Sequence, residues 1–151
     1  MRLLSPLLIA IVFTAGCSTM DMKPIYSADG PSIVIASHDV SQVKTAILEQ
    51  ASTEHFKLDA GGEAGEYLEV SRRLSALKVL LLTETIAGKN DREVLRFHVE
   101  TVDAGVRVYV YRIEQMEIPG GGLNEDPLMD KDHYAALQTL LVKVKRQVEG
   151  T

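Results

Sequence analysis

Cysteine and clustered positive charge are nearly absent from this 151-residue chain. It has one cysteine, Cys17, and its 16 lysine and arginine residues are outnumbered by 21 aspartate and glutamate residues. A single thiol cannot close a disulfide within the chain, so the fold depends on its core. The net charge is −5 and no basic cluster occurs, which argues against binding a nucleic-acid backbone. We therefore expect no nucleic-acid partner.

Recognisable catalytic motifs are also missing. Ser71, His98 and Asp103 could form a hydrolytic triad on paper, but no G-x-S-x-G elbow accompanies them. The glycine run 120–122 lacks the Lys-Ser/Thr ending of a phosphate-binding P-loop, so it is interpreted as a flexible connection or as a mobile lip over a pocket. We expect a protein that is not an enzyme and that carries no cofactor.

Metal-ligand patterns are weak. No two of the four histidines show the i, i+4 spacing of a helical zinc site. Acidic residues gather between positions 124 and 132, next to His133, and oxygen ligands at short spacing can bind calcium. Pro127 interrupts this stretch and it does not match an EF-hand loop. A solvated loop followed by a helix N-cap explains it better, and we expect no metal. The histidines are His38, His55, His98 and His133.

The chain has one apolar run at its N-terminus, and this run is short. Residues 3–13 are apolar except for Ser5 and Pro6, and Arg2 precedes them. A membrane span needs about 20 residues, so the run is typical of the central region of a secretory signal. Small residues at 14–16 follow, as at a cleavage site, and Cys17 comes directly after them.

Small residues followed by a unique cysteine resemble the lipobox of bacterial lipoproteins, although Thr14 stands where that family usually has leucine. The resemblance implies that residues 1–16 are removed and that Cys17 becomes a diacylglyceryl cysteine, with palmitate or a similar acid on its amine. Ser18, rather than aspartate, follows the cysteine, which by analogy implies the outer membrane with the domain facing the periplasm. The alternative is ordinary secretion with Cys17 as a free thiol.

The mature chain is the right size for one domain. Removal of the signal leaves about 135 residues and, with Arg2 gone, a net charge of about −6. A chain of this length can bury a sufficient core. Residues 17–32 contain Pro24, Gly30 and Pro31 and few periodic apolar positions, so we expect a flexible tether there. Residues 33–151 are expected to form a single globular domain.

Periodicity in the first half of the domain predicts a strand, a helix and a hairpin. The β-branched run 33–35 is the first strand. Asp39 with Gln42 indicates a capping box at the start of a helix, which ends at Glu54-His55. A strand from Phe56 to Leu58 and its partner over residues 67–72 form the hairpin. The apolar stripe of the helix comprises Val40, Val43, Ile47 and Ala51.

The second half predicts a long hairpin and a final helix. Residues 74–85 favour a short helix, with a buried strand as the alternative. Apolar and polar residues alternate over 92–102 and again over 106–110, which predicts two strands joined by a turn at 103–105. Residues 113–118 extend the second strand, with a possible bulge before them. A long loop is expected from Pro119 to Met129, before a helix capped by Asp130 or Asp132 and closed by Gly150. Its stripe comprises Tyr134, Leu137, Leu140, Leu141, Val144 and Val148.

This order predicts an α+β fold, with an antiparallel sheet of about five strands and two main helices on one face. It resembles the helix-grip arrangement, in which a sheet wraps a long C-terminal helix. It also resembles small bacterial lipoproteins of unassigned function. The matching residues are Asp39-Val40 with Val43, Ala104 to Val108, Pro119-Gly120-Gly121, and Leu137 with Leu140-Leu141.

The expected binding surface lies on the reverse side of the second long strand. Arg107, Tyr109 and Tyr111 share that side, and tyrosine and arginine are favoured at protein interfaces. Ordinary cross-strand pairing on a half-exposed sheet is the alternative interpretation. We expect a lipid-anchored domain that docks an envelope protein through these residues. The alternative function is to bind or sense an apolar ligand between the sheet and the C-terminal helix.

Overall fold

The α+β class is confirmed in a computed structural model that describes residues 30–61, 65–74, 91–118, 120–128 and 130–150. Within these ranges the chain forms six strands and two helices. In chain order they are β1 (Ser32–Ile35), α1 (Val40–Thr53), β2 (Lys57–Gly61), β3 (Tyr67–Arg73), β4 (Arg92–Val102), β5 (Gly105–Glu117), β6 (Leu123–Pro127) and α2 (Lys131–Glu149).

The strands form one antiparallel sheet in the order β2-β3-β4-β5-β1. β6 also pairs with β5, on the edge that β1 uses. β1 pairs with residues 106–109 and β6 with residues 113–117, so the two short strands lie end to end along β5. The long β5 strand is therefore paired on both sides for almost its whole length.

The β4–β5 hairpin sets the register of the sheet. Its pairing runs without a shift from Arg92 opposite Gln115 to Val102 opposite Gly105, so β5 has no bulge and an irregularity lies in β2 instead. Gly105 has a φ of +130°, and a Cβ there would lie 2.1 Å from the carbonyl oxygen of Ile35. Only glycine permits both this backbone conformation and this approach of β1.

Both helices pack on one face of the sheet and against each other. Alternate residues of β3, β4 and β5 point into this layer, as the period-2 pattern predicts. Tyr134 is 40% exposed, so the predicted stripe of α2 starts one turn later than expected. Central members of the core are Val43, Ile47, Leu68, Phe97, Val99, Val106, Val108, Leu137, Leu140, Leu141 and Val144.

The helix ends follow the sequence signals with one difference. Asp39 caps α1, because its Oδ1 accepts from the N–H of Gln42 at 3.1 Å. The other half of the capping box does not form: Gln42 accepts from Ser37, and Ser37 Oγ accepts from the N–H of Asp39 at 3.2 Å. Asp130 caps α2, and Gly150 ends it in the left-handed conformation.

α1 ends in a Schellman motif with a histidine at the position where glycine is usual. His55 has a φ of +67° and donates its N–H to Ser52 O at 3.0 Å. The N–H of Phe56 reaches back to Ala51 O at 3.1 Å, and both of these side chains are buried. The turn therefore brings the chain directly into β2, with Phe56 anchored in the core.

The outer edge of β1 is closed by side chains of α2. Gln138 donates to Ser32 O at 3.4 Å and Lys145 to Val34 O at 2.9 Å, while the N–H of Ala36 donates to Glu149 at 2.7 Å. Exposed edges of sheets invite pairing with other chains. These contacts occupy the carbonyls of Ser32 and Val34 and the N–H of Ala36, which such pairing could otherwise use.

The loop predicted between Pro119 and Met129 is wrong, because β6 occupies its central residues. Asn, Asp, Glu and Pro are depleted in strands, so the local composition conceals this strand. All five β6 residues are exposed, and the strand is held by its ladder to β5 and by side chains of the sheet. The helix predicted for residues 74–85 lies, except for Leu74, outside the described residues.

Candidate functional site on the outer face of the sheet

The face of the sheet that points away from both helices, called the outer face below, carries the residues that the sequence proposed for binding. Arg107 and Tyr109 lie side by side on β5. Their partners directly across on β4 are Glu100 and His98, and Tyr67 on β3 lies opposite His98. Two aromatic rings, a histidine and one ion pair therefore share a single patch.

The contacts within this patch fix the side chain of Tyr109. Its hydroxyl donates to Glu100 at 3.0 Å, and Arg107 Nη1 lies 3.4 Å from the same hydroxyl. Arg107 also lies 3.5 Å from Glu100, and the imidazole of His98 is tilted against the Tyr109 ring at a centroid distance of 6.0 Å. The hydrogen bond to Tyr109 holds the pKa of the exposed Arg107 above its ordinary value.

Tyr111 lies on the predicted face but is covered. Its side chain is 8% exposed, and Gly30 sits so close to its ring that a Cβ at Gly30 would lie 3.0 Å from it. Pro31 continues the pairing of β1, because its carbonyl accepts from the N–H of Val110 at 3.1 Å. Of the three residues proposed from the sequence, Arg107 and Tyr109 are thus the ones a partner can reach.

A second set of side chains, called the polar chain below, crosses the outer face from β3 to β6. Arg96 is its centre: Nε donates to Glu69 at 2.7 Å, and its two terminal nitrogens donate to Glu125 at 2.8 and 2.6 Å. The Tyr67 hydroxyl donates to Glu69 at 2.6 Å. From Glu125 the chain continues through Gln115 to Arg92, with contacts of 2.5 Å each, and from Arg92 to Asp59 at 2.7 Å.

Burial and ion pairing shift the pKa values of three residues of the polar chain. The hydrogen bonds from Arg96 hold the pKa of Glu125 below its ordinary value, and the contact with Glu125 raises the pKa of Arg96. Desolvation, followed by the contact with Glu69, raises the pKa of Tyr67. Glu69 is buried and accepts from both Arg96 and Tyr67, as a buried polar group requires. The polar chain is therefore a structural clamp that holds β6 on the sheet.

A buried ionic cluster lies on the opposite face, towards α1. The Glu93 side chain is 4% exposed and forms ion pairs with Arg72 at 3.0 Å and with Arg112 at 2.7 Å. The Arg112 Nε and Glu93 Oε1 atoms are close but lack hydrogen-bond geometry, so that contact is an ion pair alone. Arg72 also stacks over Phe56 at 4.5 Å and donates to Glu54 O. These contacts join the end of α1 to the sheet.

The structure does not bring together the hydrolytic triad that can be written from the sequence. Tyr67, not Ser71, is the β3 residue opposite His98. Ser71 lies four residues further along the strand, about 13 Å away at the usual rise per residue. Asp103 lies in the turn between β4 and β5. His98 therefore has no hydroxyl nucleophile from this set beside it.

The residues considered for metal binding are also dispersed. His38 precedes α1, His55 follows it, and His133 lies in the first turn of α2 against its capping residue Asp130. The hydrogen bond from the N–H of His133, followed by the contact with its imidazole, holds the pKa of Asp130 below its ordinary value. No group of three potential ligands forms among the residues described. Asp126 accepts from the side chain of Asn124.

Sequence reasoning missed the role of Glu100 in the patch and the whole polar chain. The signal for Glu100 was present: the turn after Val102 places Glu100 opposite Arg107 and His98 opposite Tyr109. Fixing the register from the turn would have paired them. Glu125 had no such signal, because its position depends on a strand hidden in a loop-like sequence.

Comparison with known proteins adds no family assignment. No protein-family model matches the chain, and no curated protein matches it at a significant level. Among the residues that the structure describes, neither helix is long and apolar enough to cross a membrane.

Proposed function

We propose that the protein is a bacterial lipoprotein, anchored through Cys17, whose periplasmic domain docks an envelope protein and performs no catalysis. Two features support the proposal, one at the N-terminus and one on the folded domain. The signal-like residues 1–16 and the cysteine after them supply an attachment to the bilayer. The patch of Arg107, Tyr109 and Glu100 supplies a contact surface on the folded domain.

The observation that carries the docking proposal is the restrained geometry of Tyr109. Tyrosine and arginine are among the side chains that are enriched at the energetic centres of interfaces. Binding costs less entropy when such side chains are ordered beforehand, and the hydrogen bond to Glu100 orders Tyr109. Arg107 beside it is 41% exposed and can contact a carboxylate of a partner.

The packing of α2 favours docking over the apolar-ligand alternative. Leu137, Leu140, Leu141 and Val144 fill the layer between α2 and the sheet, and each is 5% exposed or less. They belong to one continuous core cluster with the sheet residues. A ligand in this layer would have to displace these side chains, and refilling a packed core is costly.

Site-specific photocrosslinking in intact cells tests the docking surface. A photoreactive amino acid replaces Tyr109, and in a matched control it replaces Tyr134, an exposed tyrosine on α2. We expect a discrete protein adduct from position 109 that Arg107→Ala weakens, and no such adduct from position 134. Adducts of equal intensity from both positions would contradict the proposed surface.

Membrane fractionation tests the anchor separately. Cys17→Ala should move the protein from the membrane fraction to the soluble periplasm, since the acylated cysteine is the proposed attachment. Ser18→Ala serves as the control and should stay with the membrane. Retention of the Cys17→Ala variant would show that lipid on this residue is not the anchor, whatever the result of crosslinking.

A further inference from the structure

A groove of about 720 Å³ lies where β2, β3 and β4 meet, at the end of the outer face opposite to the Arg107–Tyr109 patch. Small-molecule sites in proteins commonly enclose about 300–1,000 Å³. Its walls include Lys57, Ser71, Arg73 and Arg92. The groove is thus large enough for an organic ligand and is lined with donors.

Three of these donors have capacity to spare. The ammonium of Lys57 and the hydroxyl of Ser71 make no hydrogen bond or ion pair within the described ranges. Arg92 uses Nε for Gln115 and Nη1 for Asp59, while its Nη2 has no partner in the same part of the chain. Those two contacts hold the guanidinium in place, with Nη2 left for a ligand.

The strand register brings the three donors together. Lys57 lies directly opposite Ser71, so their side chains are immediate cross-strand neighbours. Ser71 pairs with Val94, which makes Arg92 its diagonal neighbour on the other side. Diagonal neighbours are about 7–8 Å apart, within reach of long side chains. Lysine and arginine can therefore converge above the serine hydroxyl from two directions.

The described residues that line the groove include four cations and two acids, in a protein whose net charge is −5. Arg73 lies directly opposite Arg92, which adds a further cation to the same wall. Both acids among these described lining residues have partners: Asp59 pairs with Arg92, and Asp91 accepts from the N–H of Glu117 at 2.8 Å.

We propose that this groove binds a phosphate group carried by a small molecule or a lipid headgroup. A tetrahedral anion presents oxygens in several directions, which suits donors that arrive from β2, β3 and β4. A fixed guanidinium, a mobile ammonium and a hydroxyl are donors that recur around bound phosphate. The site is separate from the Arg107–Tyr109 patch, so a test of phosphate binding does not depend on the outcome of the docking test.

Calorimetric titration of the full chain in neutral detergent, with inorganic phosphate as the probe, tests the site. We expect saturable binding, weakened about tenfold or more by Lys57→Gln, since one charge-assisted hydrogen bond is lost. Ser71→Ala should weaken it by a smaller factor. Lys143→Gln, which removes an exposed lysine of α2, is the matched control and should bind as the wild type does. Sodium chloride at equal ionic strength controls for screening.

Vesicle flotation distinguishes the two sources of the phosphate. The Cys17→Ala form is used, so that acylation does not contribute to vesicle binding. Binding to phosphatidylglycerol vesicles but not to phosphatidylcholine vesicles, weakened by Lys57→Gln, would identify the ligand as a lipid headgroup. Saturable binding of inorganic phosphate without flotation would assign a soluble phosphate compound. An absence of both, or equal binding by Lys57→Gln and the wild type, would overturn the proposal. Lys57 lies on an exposed edge strand, so its substitution should leave the melting temperature unchanged.

Discussion

Arg96 holds Glu125 with both of its terminal nitrogens, at 2.8 and 2.6 Å, across the full width of β5. This pair joins β4 to β6, two strands that have no backbone hydrogen bonds with each other. The geometry is bidentate, the strongest form of an arginine–carboxylate contact. An edge strand of polar sequence is thereby tied to the centre of the sheet.

Removal of Arg96 should destabilise the fold far more than removal of Arg107. Arg96→Gln leaves the buried Glu69 without its cationic partner, and we expect a loss of about 3 kcal/mol in the free energy of unfolding. Arg107→Gln, on the same face but exposed, should leave the free energy of unfolding nearly unchanged. Urea denaturation measures both. Equal losses would mean that the polar chain does not stabilise the sheet.

Acid should loosen β6 before it unfolds the domain. Arg96 holds the pKa of Glu125 below its ordinary 4.5, so the folded state favours the carboxylate. The resulting stabilisation is present above pH 4.5 and is lost as the pH falls through the lowered pKa. Amide exchange in β6 should therefore rise in that range, ahead of exchange in β4.

The titration of Glu125 itself provides the control for this pH effect. NMR of the side-chain carboxyl should report a pKa below the ordinary value in the wild type. In Arg96→Gln the value should return towards normal, because the principal cause of the shift is gone. An unchanged titration in the variant would refute the assignment of the shift to Arg96.

Leu140 and Tyr134 should separate the buried and exposed sides of α2. Leu140 is 5% exposed, and Leu140→Ala should cost about 2–5 kcal/mol through lost contacts and a cavity. Tyr134 is 40% exposed, and Tyr134→Ala should change stability by no more than about 0.5 kcal/mol. Thermal and urea unfolding of the two variants give the comparison. A small effect at Leu140 would contradict the packing of this helix.

Replacement of His55 by glycine should stabilise the protein. His55 has a φ of +67°, and a side chain in this conformation costs roughly 1–2 kcal/mol, which glycine avoids. We expect His55→Gly to raise the free energy of unfolding by about 1 kcal/mol. His38→Gly is the control, because His38 does not have a positive φ and should gain nothing. A loss at position 55 would indicate that the imidazole itself contributes to stability.

The sequence predicted the parts of the fold that periodicity determines. Residues 92–102 and 106–110 alternate so regularly that both faces of the β4–β5 hairpin could be assigned, and the helix caps at Asp39 and Asp130 have short-range signals. The confirmed layer order follows from two helices that must bury their stripes on one sheet face. These are local or near-local effects.

β6 and the covering of Tyr111 depend on distant partners and could not be predicted in this way. Residues 123–127 form a strand because they pair with the edge of β5 and because Arg96 binds Glu125. Neither contact is visible in the sequence of the segment itself. Tyr111 is covered where Gly30 packs against its ring, 81 residues earlier in the chain. The sequence could therefore place Arg107, Tyr109 and Tyr111 on one face of the strand, but it could not show which of them a partner can reach.

The bonds between β1 and α2 have a consequence for the timing of folding. They join residues 106 to 113 positions apart, and the ladder partner of β1 also comes late in the chain. β1 therefore lacks these edge contacts until α2 has been synthesised. Contacts of such long sequence separation slow folding. The native state can therefore form only after α2 has left the ribosome, so nearly all of the described residues are synthesised before folding is complete.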